Sequence, residues 1–170
     1  MEKESNLEAQ LILRTELEIS QKMDEVIKEI QKIAEEFSIA QKDKKSPFRN
    51  VLATATESGT SLEAIKNYIR YQVGRSGSSP IWKEEKNQKL FASAVVEHIN
   101  GLLNETTEDI LRKIKKNTSV KNPLNDYLEN KENSEQYKKN LHLKLTQLYL
   151  GYLAREHTAL VGEIKANQNP

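Results

Sequence analysis

The feature that most constrains the fold of this chain is the spacing of apolar residues in its first forty positions. Ile12, Ile19, Met23, Val26, Ile30, Ile33 and Phe37 keep a 3,4,3,4 rhythm, with Glu16 at one seam position. A stripe with that period lies along one side of an α-helix, whereas a strand alternates its side chains with period two. The spacing predicts one helix from about Ser5 to Lys42, long enough for a coiled coil or one arm of a bundle. No later segment alternates apolar and polar residues for long enough to demand a strand. The expectation is an all-α protein, a single helical bundle with a long N-terminal heptad-bearing helix. Residues 1–45 form the arm, 46–166 the bundle and 167–170 a disordered tail.

Pro, Gly, Ser and Asn clusters mark the remaining breaks. QKDKKS ends the first helix, and Pro47 suits the first position of the next. That second helix, Pro47 to Ser58, turns Phe48, Val51, Leu52 and Ala55 inward. Ser58, Gly59 and Thr60 make a tight joint. Ser61 is a candidate cap for a third helix, with Thr60 and Thr56 as alternatives. The third helix ends at Gly74, and a loop runs on to Pro80. A fourth helix is expected over roughly Lys83 to Asn104. Thr106 or Thr107 would cap a fifth, which ends in the basic run Arg112 to Lys116. Residues 117–133 read as a polar loop with one short turn of helix. The last helix, from about Ser134 to Lys165, carries a wide apolar face from Leu141 through Tyr149 and Leu153 to Ile164.

Composition excludes several kinds of chemistry. The 170 residues contain no cysteine, so disulfides, cysteine zinc sites and thiol nucleophiles are ruled out. His98, His142 and His157 have no second ligand at helical spacing, so no metal is expected. His98 reads as a packed, hydrogen-bonded core histidine. The segment GRSGSS lacks the lysine of a phosphate-cradling loop, and no cofactor is expected. No nucleophile stands beside an evident base, and the chain is expected not to be an enzyme. It has no apolar run near ~20 residues, which predicts a cytoplasmic protein with no membrane partner. Lys+Arg number 26 against 25 Asp+Glu. Net charge therefore says nothing of nucleic acid, and any basic surface must come from local clustering.

One helix offers that clustering. In the third helix Leu62, Ile65, Ile69 and Val73 form a buried stripe by spacing. At about 100° per residue, Tyr68, Tyr71 and Arg75 fall together on another side, with Lys66 and Arg70 on a flank. Tyrosine with arginine on an open face can stack on bases and neutralise phosphates. Arg49, Lys66, Arg70, Arg75, Lys83 and Lys86 all lie between positions 49 and 86 of the chain. Lys83 and Lys86 read better as solvated lysines. Trp82 reads as a staple that closes the preceding loop onto the bundle. Tyr68 reads as a packing residue. Arg49, Lys66, Arg70, Tyr71 and Arg75 remain as candidate RNA-binding residues.

Three islands of sequence occur in a suggestive order. The first is SPFRNVL, with Ser46, Phe48, Arg49, Asn50, Val51 and Leu52. The second is LEAIKNYIRYQVGR, ending in Tyr71, Gly74 and Arg75. The third is LYLGYLAREHTALV, an apolar and aromatic helix from Leu148 to Leu160. Together they resemble the small subunit of type III CRISPR effector complexes, of the Csm type. The likeness covers about two-thirds of the chain. The long first helix, residues 76–89 and the 117–133 loop depart from it. The resemblance implies a non-catalytic subunit of an antiviral ribonucleoprotein. Copies of it would stack beside the other effector subunits and hold guide and target RNA by the backbone. The rival expectation is a helical scaffold or adaptor that dimerises through the 12–37 seam and acts only through protein contacts.

Overall fold

The heptad rhythm does form a long helix, and the chain reverses hand where that helix ends. The structure, a computed structural model, describes residues 2–42, 45–116 and 123–168. Helix α1 spans Glu2–Glu36, and a single turn, α2, spans Ile39–Lys42. Between them Ser38 has φ +49°, so the expected continuous helix to Lys42 is broken. Burial gives the reason. Phe37 and Ile39 are both fully buried, yet two residues along a helix point about 200° apart. One left-handed residue between them turns both side chains into the same core.

The remaining elements follow in order: α3 (Arg49–Thr56), α4 (Leu62–Gly74), a 3-10 turn (Pro80–Lys83), β1 (Glu85–Lys86), β2 (Lys89–Leu90), α5 (Phe91–Asn100), α6 (Leu102–Lys116), α7 (Pro123–Glu129) and α8 (Lys131–Gln168). The all-α expectation holds apart from the small hairpin. Strands β1 and β2 pair antiparallel, with Glu85 opposite Leu90 and Lys86 opposite Lys89. The two-residue loop puts Asn87 and Gln88 at φ +51° and +63°. Such hairpins need two consecutive left-handed residues, and Asn-Gln lacks the glycine that usually announces them. The helix expected from Lys83 therefore begins only at Phe91, whose N–H donates to the Glu84 carbonyl at 2.8 Å.

Other boundaries shift for local reasons. The fourth helix stops at Gly101, not at Asn104, and α6 starts directly after it. Neither Thr106 nor Thr107 is a cap. Their hydroxyls donate back to the carbonyls of Leu102 and Leu103 inside the helix, at 2.8 and 2.7 Å. Part of the expected loop is α7. Asn130 Oδ1 accepts from the Asn133 N–H at 3.1 Å, so the last helix begins at Lys131 rather than Ser134. It runs on to Gln168, so residues 167 and 168 of the expected tail are helical, and 169–170 lie outside the described residues.

The heptad seam is buried within the chain. Ile19, Met23, Val26, Ile30, Ile33 and Phe37 join one core with Leu103, Ile110, Leu145, Tyr149 and Leu153. Helix α1 packs chiefly on α8 and α6. Only the start of α1 escapes: Ile12, Leu13 and Leu17 are 56%, 67% and 57% exposed. An aromatic knot closes the centre of the molecule. Phe48 meets Trp82 edge-on at 5.4 Å between ring centroids, Trp82 meets Phe91 at 5.6 Å, and Phe91 meets Phe37 at 5.4 Å. His157 packs edge-on against Phe48 at 5.9 Å. Trp82 is fully buried, which is the staple expected of it.

Several buried or half-buried polar groups find partners within this frame. His98 Nδ1 lies 2.8 Å from the Tyr149 hydroxyl. Tyr149 is fully buried, and burial pushes its phenol well above the ordinary value, so the hydroxyl keeps its proton. A buried O–H needs an acceptor, so Tyr149 donates to Nδ1 and the ring proton of neutral His98 sits on Nε2. Burial also lowers the His98 pKa, against the opposing pull of Glu29 and Glu97. The expectation of a packed, hydrogen-bonded histidine is met. Nearer the start of α1, Thr15 Oγ1 donates to the Leu11 carbonyl at 2.6 Å. Its only hydrogen being used, it accepts from the Tyr137 hydroxyl at 2.7 Å.

Candidate nucleic-acid interface

Helix α4 is set in place from both ends. At its start the Ser61 hydroxyl accepts from the Ala64 N–H at 3.2 Å, so Ser61 is the cap among the three candidates. At its end the Arg75 N–H donates to the Tyr71 carbonyl at 3.0 Å. The chain then turns through Gly77 at φ +75°, a conformation that suits glycine. That turn lets the Ser78 hydroxyl donate to the Gln72 carbonyl at 2.6 Å.

This cover changes which face is buried. Ile65, Ile69 and Gln72 are buried, while Leu62 and Val73 are only half-buried. The buried stripe has rotated toward Gln72, a polar residue that apolar spacing does not reveal. Tyr71, on the opposite side, is 55% exposed. Tyr68 is half-buried against the core, as expected of a packing residue. The two tyrosine rings stand 5.9 Å apart with their planes tilted by 46°.

The candidate cations divide into two kinds. Lys66 Nζ donates to Asn100 Oδ1 on α5 at 3.0 Å and pairs with Glu63, and its side chain is 18% exposed. It ties α4 to α5 rather than facing solvent. Arg49 begins α3 and is exposed, Arg70 is exposed, and Arg75 is half-buried. Among the described residues these three guanidinium groups make no ion pair or side-chain hydrogen bond. Across α1, α6 and α8 several cations are matched: Lys22 and Arg112 with Asp109, Lys113 with Glu18, Lys138 with Glu108, and Lys144 with Glu16. Between Lys45 and Lys83 the sequence holds six basic residues (Lys45, Arg49, Lys66, Arg70, Arg75, Lys83) against two acids, Glu57 and Glu63. The α3–α4 side is therefore where a positive surplus collects in a chain of net charge +1.

Helices α3 and α4 pack on each other. The Phe48–Trp82 contact brings the start of α3 to the turn that follows α4. A second tyrosine–arginine pair lies on α8. The exposed Arg155 guanidinium sits 5.2 Å from the centroid of the Tyr152 ring. Sequence reasoning assigned Tyr152 to the apolar face and missed this pair, whose signal is the i,i+3 spacing of the two residues. Among the described residues no group of three or more His, Asp or Glu is placed to hold a metal ion. No helix there is long and apolar enough to cross a membrane. Comparison with protein-family models, with curated proteins and with solved structures gave no match to this chain.

Proposed function

We propose that this protein grips RNA by its phosphate backbone without cutting it, as a helical small subunit of a multisubunit CRISPR effector ribonucleoprotein in antiviral defence. The observation that carries this is that Arg49, Arg70 and Arg75 make no ion pair among the described residues, and lie on or next to the two packed helices that also carry the exposed Tyr71. Arginines left without carboxylates are free to exchange counterions for phosphates, which is the main source of non-specific affinity for nucleic acid. Lys66 drops from the binding set, because Asn100 and Glu63 already hold its ammonium group. The three sequence islands support the placement in a type III effector. They bring with them guide and target RNA, neighbouring subunits, further copies of the chain, and a cytoplasmic setting.

The test is RNA binding by the Arg70→Ala, Arg75→Ala double variant, measured against salt. The expected result is weaker binding at low salt and a log–log salt slope shallower by about 1.4, the release of two counterions from a single strand. Helicity should be unchanged. RNA affinity equal to wild type at low salt would sink the proposal.

One observation favours a scaffold acting only through protein contacts. Ile12, Leu13 and Leu17 present three large apolar side chains to solvent at the start of α1. The seam from Ile19 to Phe37 is spent inside the chain, so what α1 leaves open for such contacts is this short patch. Native purification separates the two cases: RNA carried through with several partners fits the first, and a nucleic-acid-free dimer fits the second.

A further inference from the structure

We propose that the α4 face selects unpaired RNA, with Tyr71 as a stacking platform for one base and Arg70 and Arg75 as clamps on the phosphates beside it. This rests on the RNA-binding function proposed above and adds the form of RNA that the site takes. Tyr71 is the one aromatic among the large hydrophobic side chains that the described structure leaves exposed, at 55%. Its position is supported from behind. Tyr68, half-buried against the core, holds its ring 5.9 Å away, and more than half of Tyr71 stays in water. The 46° tilt between the rings excludes a parallel slot for a base, so the site offers a single face. Arg70 adjoins Tyr71, and Arg75 follows directly after the helix, its N–H donating to the Tyr71 carbonyl. The only acid of α4, Glu63, is two turns away and pairs with Lys66.

A base in a duplex has both faces covered by its neighbours, and the deep major groove of A-form RNA does not admit side chains to them. An unpaired base can lie on tyrosine whatever its identity. The α4 face therefore prefers single strands and does not read sequence.

The full-length protein is titrated into a single-stranded RNA and into a duplex of the same sequence. Expected results are tighter binding of the single strand and a loss of roughly tenfold on it for Tyr71→Ala, the usual weight of one stacked base. Duplex binding should be unaltered by that change, and Tyr71→Trp should keep the single-strand preference. Circular dichroism checks that both variants fold. If duplex binds as tightly as single strand, or Tyr71→Ala leaves single-strand binding intact, stacking is overturned. In that event a loss of affinity in the Arg70→Ala, Arg75→Ala variant would still leave backbone binding standing. Failure of the wild-type protein to bind either RNA overturns both.

Discussion

Two aromatic groups in this molecule have opposite fates. Phe37, Phe48, Trp82 and Phe91 close on one another at the centre, and all four are fully buried. Tyr68 and Tyr71 touch at a similar distance, yet Tyr71 remains more than half in water. The first group joins α1, α3, the 3-10 turn and α5 and reaches α8 through His157. The ring contact of the second stays within one helix, with Tyr68 packed against the core and Tyr71 in water. Ring contacts alone therefore do not distinguish a stabilising cluster from a surface available to a partner. The number of elements a cluster ties together does.

Mutations at the two clusters sharpen this contrast. Trp82→Ala should have the largest effect, destabilising the fold by about 3–5 kcal/mol, because it empties a large closed site. Tyr71→Ala should change stability by less than about 0.5 kcal/mol. Chemical denaturation of both variants checks this, and equal losses would break the comparison. A smaller effect is expected at Tyr137, whose phenol is pushed up to about 12, first by burial and further by Glu18. The folded state holds this proton more tightly than the unfolded chain, where tyrosine titrates near pH ~10. Its contribution is thus complete below pH ~10 and is lost as pH rises toward 12. Melting temperatures across that range should fall less steeply for Tyr137→Phe than for wild type. The smallest effect should come from Lys66→Ala. It should cost about 1 kcal/mol or less through lost contacts to Glu63 and Asn100, and leave the salt dependence of RNA binding unchanged. A salt slope that falls with Lys66 would return it to the binding face.

Much of the helical plan was legible because it depends on local periodicity. The seam of α1, the Ser61 cap and the buried staple at Trp82 all follow from spacing and turn chemistry. The break at Ser38 was not legible, since it arises from the need to bury Phe37 and Ile39 together. The β-hairpin was also missed, because Asn87 and Gln88 adopt left-handed conformations without a glycine. In the candidate site, the sequence places Arg70, Tyr71 and Arg75 on the outward side of α4. It does not reveal that Asn100, thirty-four residues on, accepts a hydrogen bond from Lys66.

By itself, then, the amino-acid order determined the helical class, the absence of cysteine chemistry and the excess of basic over acidic residues between Lys45 and Lys83. These depend on neighbours in sequence or on composition. Only the tertiary structure decided which cations are spent. Pairing with Asp109, Glu18, Glu108 and Glu16 joins residues far apart in the chain, and such partners meet only after the helices pack. The same packing buried Gln72, because each side chain's exposure depends on what covers it.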